Sequence, residues 1–257
     1  MRSPRCWSVA ATRCISPPSW CWLPRWTSTA RRARRPGSQS SSMIARRPCI
    51  ARGRSSSRSA TVPADDAERW RVFLAIEVPD AVRAALTGPL GSLEPLREIV
   101  RINAVERIHL TLHFVGHLPR TDVEHLPAAL ALVVGGHQRF RLTAEGVGAF
   151  PGIGRPRVLW AGIAGADLPR MVSVQVDLGD ALRKTGVAIE DRFHPHLTLA
   201  RVVRPPKATE RNLLREWSTR WGSMSFGEIP VDHVNLMRSQ LGGGPARYTT
   251  LATFDLQ

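Results

Sequence analysis

Apolar and polar residues alternate along several short segments between residues 69 and 257, and other segments in this range carry apolar residues at helical spacing. Alternation with period two predicts a half-buried β-strand, whereas spacing of three and four predicts a helix with one buried face. Gly and Pro separate these segments and mark the predicted turns. In chain order, the pattern predicts strands at 70–78, 108–116, 140–147, 157–163, 193–201, 226–237 and 246–255, and helices at 80–88, 121–134, 167–185 and 208–217.

One four-residue unit, His-Leu-Thr-Leu, occurs twice in this pattern, from His109 to Leu112 and from His196 to Leu199. Side chains alternate faces along a β-strand, so each copy presents its His and Thr on one face and its two leucines on the other. Two such strands side by side would set two imidazoles and two hydroxyls around a common point. That set of groups suits acid/base chemistry on a phosphate. The alternative is a pair of ordinary strands whose polar faces happen to carry His and Thr.

The order of elements around the two copies indicates an internal duplication. Each copy is preceded by a strand and a helix and is followed by another helix. We therefore predict an α+β fold with a bilobal, pseudo-twofold architecture, in which two antiparallel sheets backed by helices meet along a central cleft. The two repeated strands would form the floor of this cleft.

The positive charge of the chain is concentrated in its first 62 residues, which contain 13 Arg and no Lys, Asp or Glu. All four Cys and four of the eight Trp also lie there, a mixture unlike that of disordered arms, which are poor in aromatics. The segment has no sustained period and no apolar run long enough for a membrane span or a signal peptide. We predict that residues 1–66 are a disordered or non-native extension and that residues 67–257 form the domain. A basic arm that touches RNA phosphates and a targeting segment are alternatives, and we favour translated sequence upstream of the true start.

Beyond this segment the chain is almost neutral, with 23 Lys and Arg against 21 Asp and Glu. The formal net charge of +15 therefore does not by itself indicate that the folded part binds nucleic acid. Because no Cys lies in the predicted domain, thiol nucleophiles, structural disulfides and Cys-ligated zinc are excluded from it.

A metal site is the main alternative for the first repeated unit. His109, His113 and His117 are spaced by four and would share one face of a helix, where three imidazoles could bind zinc. The alternation of Leu110 and Leu112 with polar neighbours favours a strand instead. On a regular strand His113 faces the same side as His109, as part of a groove wall or as a hydrogen-bonded structural histidine.

The chain resembles the 2H phosphoesterases, and specifically the LigT-like RNA 2′,3′-cyclic phosphodiesterases formerly called 2′-5′ RNA ligases. The resemblance covers about residues 69–257 and rests on the two His-Leu-Thr-Leu units and on further segments in the same order. One departure is Met237, since the family often has an aromatic residue before the Arg-Ser of this strand. The further segments are Arg71–Ile76, Gly148–Pro151, Arg155–Trp160 and Ala246–Tyr248.

The resemblance implies hydrolysis of RNA 2′,3′-cyclic phosphate ends to 2′-phosphomonoesters, with His109 and His196 as catalytic acid and base. Histidine suits both roles because its unperturbed pKa is about 6.5. Thr111 and Thr198 lie one pleat from the histidines, where their hydroxyls can donate hydrogen bonds to phosphate oxygens. The resemblance also makes Arg201 a phosphate ligand. Its strand parity is opposite to that of His196, so it reaches the site only if the strand ends or bulges just before it.

Four further side chains are candidates for an RNA groove. Phe73 and Trp160 could stack on a base, since stacking tolerates any sequence, although a core position is an equal alternative for both. Arg155 and Arg157 could line the groove. The expected partner is RNA with a 2′,3′-cyclic phosphate end, tRNA fragments included. We expect no cofactor, no metal and no membrane contact, and we predict a monomeric cytoplasmic enzyme.

Two other functions would use the same site. One is a module that binds RNA ends without turnover, and the intact His and Thr of both units argue against it. The other is a 2H enzyme acting on small cyclic nucleotides such as ADP-ribose 1″,2″-cyclic phosphate. The sequence does not separate this function from the first, because the shared site reads only phosphate and ribose. Reverse 2′-5′ ligation is a further expectation, since one acid/base pair serves both directions.

Overall fold

The structure is a computed structural model that describes residues 68–190, 192–240, 242 and 246–257. The predicted extension, residues 1–66, lies outside the described residues, as does most of the loop between the last two predicted strands. Four helices occur within the described part of the chain: α1 (Asp80–Gly91), α2 (Arg120–Val134), α3 (Leu168–Lys184) and α4 (Ala208–Trp221). The strands there are β1 (Arg69–Glu77), β2 (Val100–Ile102), β3 (His109–Pro119), β4 (Phe140–Phe150), β5 (Val158–Ala164), β6 (His196–Val202), β7 (Ser225–Val231), β8 (His233–Gln240) and β9 (Arg247–Asp255).

These strands form one sheet in the order β7-β4-β5-β6-β3-β1-β8-β9, and β2 pairs with β6. Every recorded strand pair is antiparallel. The α+β fold is therefore confirmed, but the strands form one continuous sheet where we predicted two. The two halves of the sheet meet where β3 pairs with β6, through Leu110 opposite Leu197. The internal duplication stays a prediction.

The core lies on the face of the sheet that the helices cover. Helix α2 packs on β1, β3, β8 and β9, while α3 contacts β3 and β4. The leucines of both repeated units point into this core and are fully buried or nearly so. Burial of each such side chain stabilises the fold by about 1.5–3 kcal/mol, which fixes the register of both strands. The opposite face carries the histidines and threonines.

Two differences from the predicted elements affect the topology. The single strand predicted at 226–237 is two strands, β7 and β8, which separate at Asp232 and lie in opposite halves of the sheet. The short strand β2 was not predicted. None of the described helices is long and apolar enough to cross a membrane.

Candidate active site

The two repeated units lie side by side at the centre of the sheet. Because β3 and β6 are antiparallel and pair Leu110 with Leu197, their register places His109 beside Thr198 and Thr111 beside His196. The two histidines and the two threonines thus occupy opposite corners of a square on the polar face. All four side chains are half-buried. The predicted grouping of these residues around a common point matches this register.

Both imidazoles are held in the same way by backbone carbonyls. The Nδ1 atom of His109 lies 2.9 Å from the carbonyl oxygen of Arg107, and that of His196 lies 2.6 Å from the carbonyl oxygen of His194. A carbonyl only accepts hydrogen bonds, so each Nδ1 carries a hydrogen and donates it. This leaves each Nε2 free to accept a proton when the ring is neutral and to donate one when it is charged.

Burial lowers the pKa of both histidines below their usual value. The hydrogen bonds to backbone carbonyls raise these pKa values and oppose this effect. The charge of His196 further lowers the pKa of His109, while the charges of His194 and Arg201 lower that of His196. A proton on one imidazole therefore disfavours a proton on the other. Acid/base chemistry needs one neutral and one protonated ring, and the repulsion between the two charges disfavours the doubly protonated state.

Aromatic side chains surround His109. The ring of Phe73 stacks on the imidazole with centroids 4.8 Å apart, and the ring of Tyr248 meets it edge-on at 5.2 Å. Only 3% of Phe73 is exposed, so this residue supports the imidazole and leaves no face for an RNA base. The predicted stacking role of Phe73 does not fit this position. Tyr248 is 36% exposed and was not singled out as a site residue, although it lies in a segment that resembles the family.

A second aromatic group lies beside His196. The ring of Phe150 meets this imidazole edge-on with centroids 5.0 Å apart and lies 5.3 Å from the ring of Trp160. Trp160 faces the polar side of the sheet because it is paired with Thr198. A Cβ atom at Gly148 would overlap the Trp160 ring, so glycine is required beneath it. Phe150 is a second residue that sequence reasoning missed, again within a family-like segment.

A bulge brings Arg201 to the polar face. In the pairing of β5 with β6, Thr198 opposes Trp160 and Ala200 opposes Leu159, so Leu199 is an extra residue. The extra residue reverses the side-chain parity of β6, which is the condition that the sequence set for Arg201 to reach the site. Burial is the main cause of the lowered pKa of His196, and the charge of Arg201 lowers this pKa further.

Strand β2 places a second arginine beside Arg201. This residue, Arg101, lies directly opposite Arg201 in the register of β2 and β6. Neither arginine forms an ion pair with another described residue, and like charges in this arrangement are destabilising unless an anion lies between them. Arg101 could not be found from the sequence pattern, because β2 has only three residues.

An equivalent bulge occurs in the first repeated unit. In the pairing of β1 with β3, Leu112 is the extra residue between Thr111 and His113. His113 therefore turns to the helical face, where it is 4% exposed and its Nε2 lies 2.6 Å from the carbonyl oxygen of Gln175. The prediction that His113 faces the same side as His109 is wrong, while its alternative as a hydrogen-bonded structural histidine fits. The three-histidine zinc site is also wrong, because it requires a helix here.

Two cavities flank the histidines. One, of about 830 Å³, is lined by His109, Tyr248 and Met237. The other, of about 1210 Å³, is lined by Phe150 and by the two predicted groove arginines, Arg155 and Arg157. Within the described ranges, no group of three or more His, Cys, Asp or Glu residues is arranged to hold a metal ion.

Comparison with known proteins places this geometry in a family. A family model described as the 2′-5′ RNA ligase superfamily matches residues 100–243. An RNA 2′,3′-cyclic phosphodiesterase of Archaeoglobus fulgidus is 31% identical over 187 residues, which cover 72% of this chain and 99% of the relative. A protein of the same name from Thermus thermophilus is 33% identical over 198 residues, which cover 73% of this chain and 90% of the relative.

Solved structures agree with these relatives. A crystal structure of a Thermus thermophilus protein is similar with a TM-score of 0.58 and 29% identity, covering 72% of this chain and 97% of that one. E. coli LigT in complex with 3′-AMP is similar with a TM-score of 0.54 and 27% identity, covering 74% of this chain and 99% of that one. The resemblance predicted from the two His-Leu-Thr-Leu units is therefore confirmed, and the chain belongs to the 2′-5′ RNA ligase superfamily.

Proposed function

We propose that the protein is an RNA 2′,3′-cyclic phosphodiesterase that leaves a 2′-phosphomonoester by two-histidine acid/base catalysis without a metal. The observation that carries the proposal is the square of His109, Thr198, His196 and Thr111, in which both imidazoles present a free Nε2. The names of the relatives support the same reaction, since proteins of Archaeoglobus fulgidus and Thermus thermophilus are called RNA 2′,3′-cyclic phosphodiesterases.

In the proposed reaction, a water molecule attacks the phosphorus atom of the cyclic phosphate. The neutral histidine takes a proton from this water at Nε2, and the bond from phosphorus to O3′ breaks. The protonated histidine donates its Nε2 proton to the departing O3′, so the product carries a 2′-phosphate and a 3′-hydroxyl. One proton enters the histidine pair and one leaves it, so the reaction leaves the number of protons on the pair unchanged.

Charge that develops on the phosphate oxygens requires donors on the same face. The hydroxyls of Thr111 and Thr198 have no hydrogen-bond partner among the described residues, so both are available to donate. Arg201 supplies positive charge at the His196 end of the site. Donors fixed in place before the reaction stabilise the transition state without reorganisation, which is the role we assign to these three residues.

The same groups support 2′-5′ ligation. If the 5′-hydroxyl of a second RNA replaces water, identical proton transfers join the two molecules through a 2′-5′ linkage. The proposal extends to a monomer that acts in the cytoplasm on RNA fragments, including tRNA fragments.

The proposal is tested by product analysis on an RNA oligonucleotide that ends in a 2′,3′-cyclic phosphate, with EDTA present. We expect a product whose terminal phosphate is at the 2′ position, at a rate that EDTA does not change. A 3′-phosphate product would contradict the assignment of the leaving oxygen. Activity that EDTA abolishes and zinc restores would contradict the two-histidine reaction.

A further inference from the structure

The cavity beside Phe150 is rich in arginine. Five arginines and no acidic residue belong to its lining, and Arg204 is the only one of the five that a described carboxylate neutralises, through Glu210 at 2.7 Å. The other four form no ion pair with any residue that the structure describes. They are Arg155, Arg157, Arg211 and Arg215.

The positions of these arginines do not suit a purely structural role. Arg155, Arg157 and Arg215 are exposed, and the hydrogen bonds recorded for the guanidinium groups of the set are local. Arg215 donates to the side chain of Asn212 within α4, and Arg211 donates to the carbonyl oxygen of Pro206. Four uncompensated charges around one cavity raise the local concentration of anions.

Phe150 connects this cavity with the active site, because it lines the cavity and its ring contacts that of His196. Phe150 of β4 pairs with Val158 of β5, which pairs with Arg201 of β6, so the three residues form one row across the polar face. Phe150 and Val158 also line the cavity. The ring of Phe150 contacts His196, and Arg201 acts on the same imidazole. A chain of phosphates that leaves the histidines can therefore pass along this row into the arginine-lined cavity.

We propose that this cavity binds the phosphates of the RNA strand on the 5′ side of the cyclic end, and that the preferred substrate is an oligonucleotide. This inference rests on the proposed function and identifies its substrate class. A cyclic mononucleotide has one phosphate, which lies at the histidines, so the four arginines of the cavity have no ligand. Each further nucleotide adds one phosphate that the cavity can neutralise.

The test is a length series of substrates with the same terminal nucleotide, from the nucleoside 2′,3′-cyclic phosphate to oligonucleotides of two, four and eight nucleotides. For the wild-type enzyme, we expect kcat/KM to rise beyond the dinucleotide and to fall with salt more steeply for the octamer than for the mononucleotide. A kcat/KM that stops rising at the dinucleotide would overturn the inference, since a single internucleotide phosphate would then suffice.

Loss of charge in the cavity should act on long substrates alone. In Arg211→Gln/Arg215→Gln, we expect kcat/KM for the octamer to fall at least ~10-fold at low salt, with the slope against log salt reduced by about 1.4 for two lost phosphate contacts. The mononucleotide should be cleaved as by wild type. An equal loss on both substrates would overturn the inference, because it would indicate an effect on the site or the fold.

Two further variants make the result specific. Arg155→Gln/Arg157→Gln removes two charges whose side chains form no hydrogen bond with a described residue, so it tests the cavity even if loss of the Arg211 hydrogen bond unfolds the first variant. Arg170→Gln/Lys184→Gln removes two charges from α3, outside the cavity, and should leave all substrates unaffected. If this control lowers octamer cleavage as much as the cavity variants, the RNA is attracted by the overall charge of the protein and not by this cavity, and the inference fails. If wild type cleaves no substrate of the series, the proposed function itself fails.

Discussion

We expect that replacing both histidines lowers the catalytic rate no more than replacing either one alone. Proton transfer by a positioned side chain contributes about 10² to 10⁴ in rate, so each His→Ala variant should lose about 10³, or about 4 kcal/mol. In the proposed reaction both proton transfers belong to one step, because His109 and His196 lie at opposite corners of the same square. Independent losses would multiply to about 10⁶, whereas the loss of a unit leaves the double variant near 10³.

The assay is kcat/KM of the three variants on a cyclic-phosphate oligonucleotide across pH. Wild type should give a bell-shaped profile, and each single variant should keep one limb. In His196→Ala the remaining limb should lie at higher pH than its wild-type counterpart, because the charge of His196 lowers the pKa of His109. His117→Ala, an exposed histidine on the same strand, is the matched control and should retain wild-type activity. A double variant that is about 10³ worse than either single one would refute the shared transition state.

Three further outcomes are expected. Thr111→Val and Thr198→Val each remove one proposed donor to the phosphate, so transition-state stabilisation calculated from kcat/KM should fall by about 1–3 kcal/mol, less than for either histidine variant. A loss that equals the histidine losses would contradict the donor role. Burial lowers the pKa of His113, so the unfolded chain binds this proton more readily. The stability that the neutral ring contributes is complete above a pH of about 6.5 and is lost as pH falls below it, a dependence that His113→Gln should flatten in urea unfolding at pH 7.5 and 5. Deletion of residues 1–62 should leave the thermal midpoint and the activity unchanged, and a large drop in either would show that this segment packs or binds.

Much of the fold follows from local patterns, and the errors arise where pairing is decided at a distance. Period-two alternation placed the strands around both histidines, because one face of each is buried in the core. The alternation shifts by one residue at Asp232, from Ile229 and Val231 to Val234 and Leu236, which marks a break. Nothing local shows that the strands on either side, β7 and β8, lie in opposite halves of the sheet. Whether the strands form one sheet or two depends on the single pairing of β3 with β6, which the pattern of apolar and polar residues does not encode.

The residues of the candidate site also differ in how far local sequence predicts them. His109 and His196 could be predicted because a repeated unit is a local signal, and the register then brings them together. The direction of His113 could not be predicted, because a bulge is defined by the number of residues on the partner strand. Arg101 was missed for a related reason, since its position depends on a three-residue strand that is visible only in its pairing with β6.

Because the two halves of the sheet meet through Leu110 and Leu197, the distance between the two imidazoles depends on a purely apolar contact. Both leucines are fully buried, and each lies between the His and the Thr of its own strand. One half of the sheet carries His109 and the other carries His196, so the spacing between the two imidazoles is set by how closely these strands pack. A displacement of about 1 Å at a reacting group can cost about 10²-fold in rate. Truncation of either leucine would thus move the reactive nitrogens relative to each other without altering any polar group, and a packing defect would be measured as a defect in chemistry.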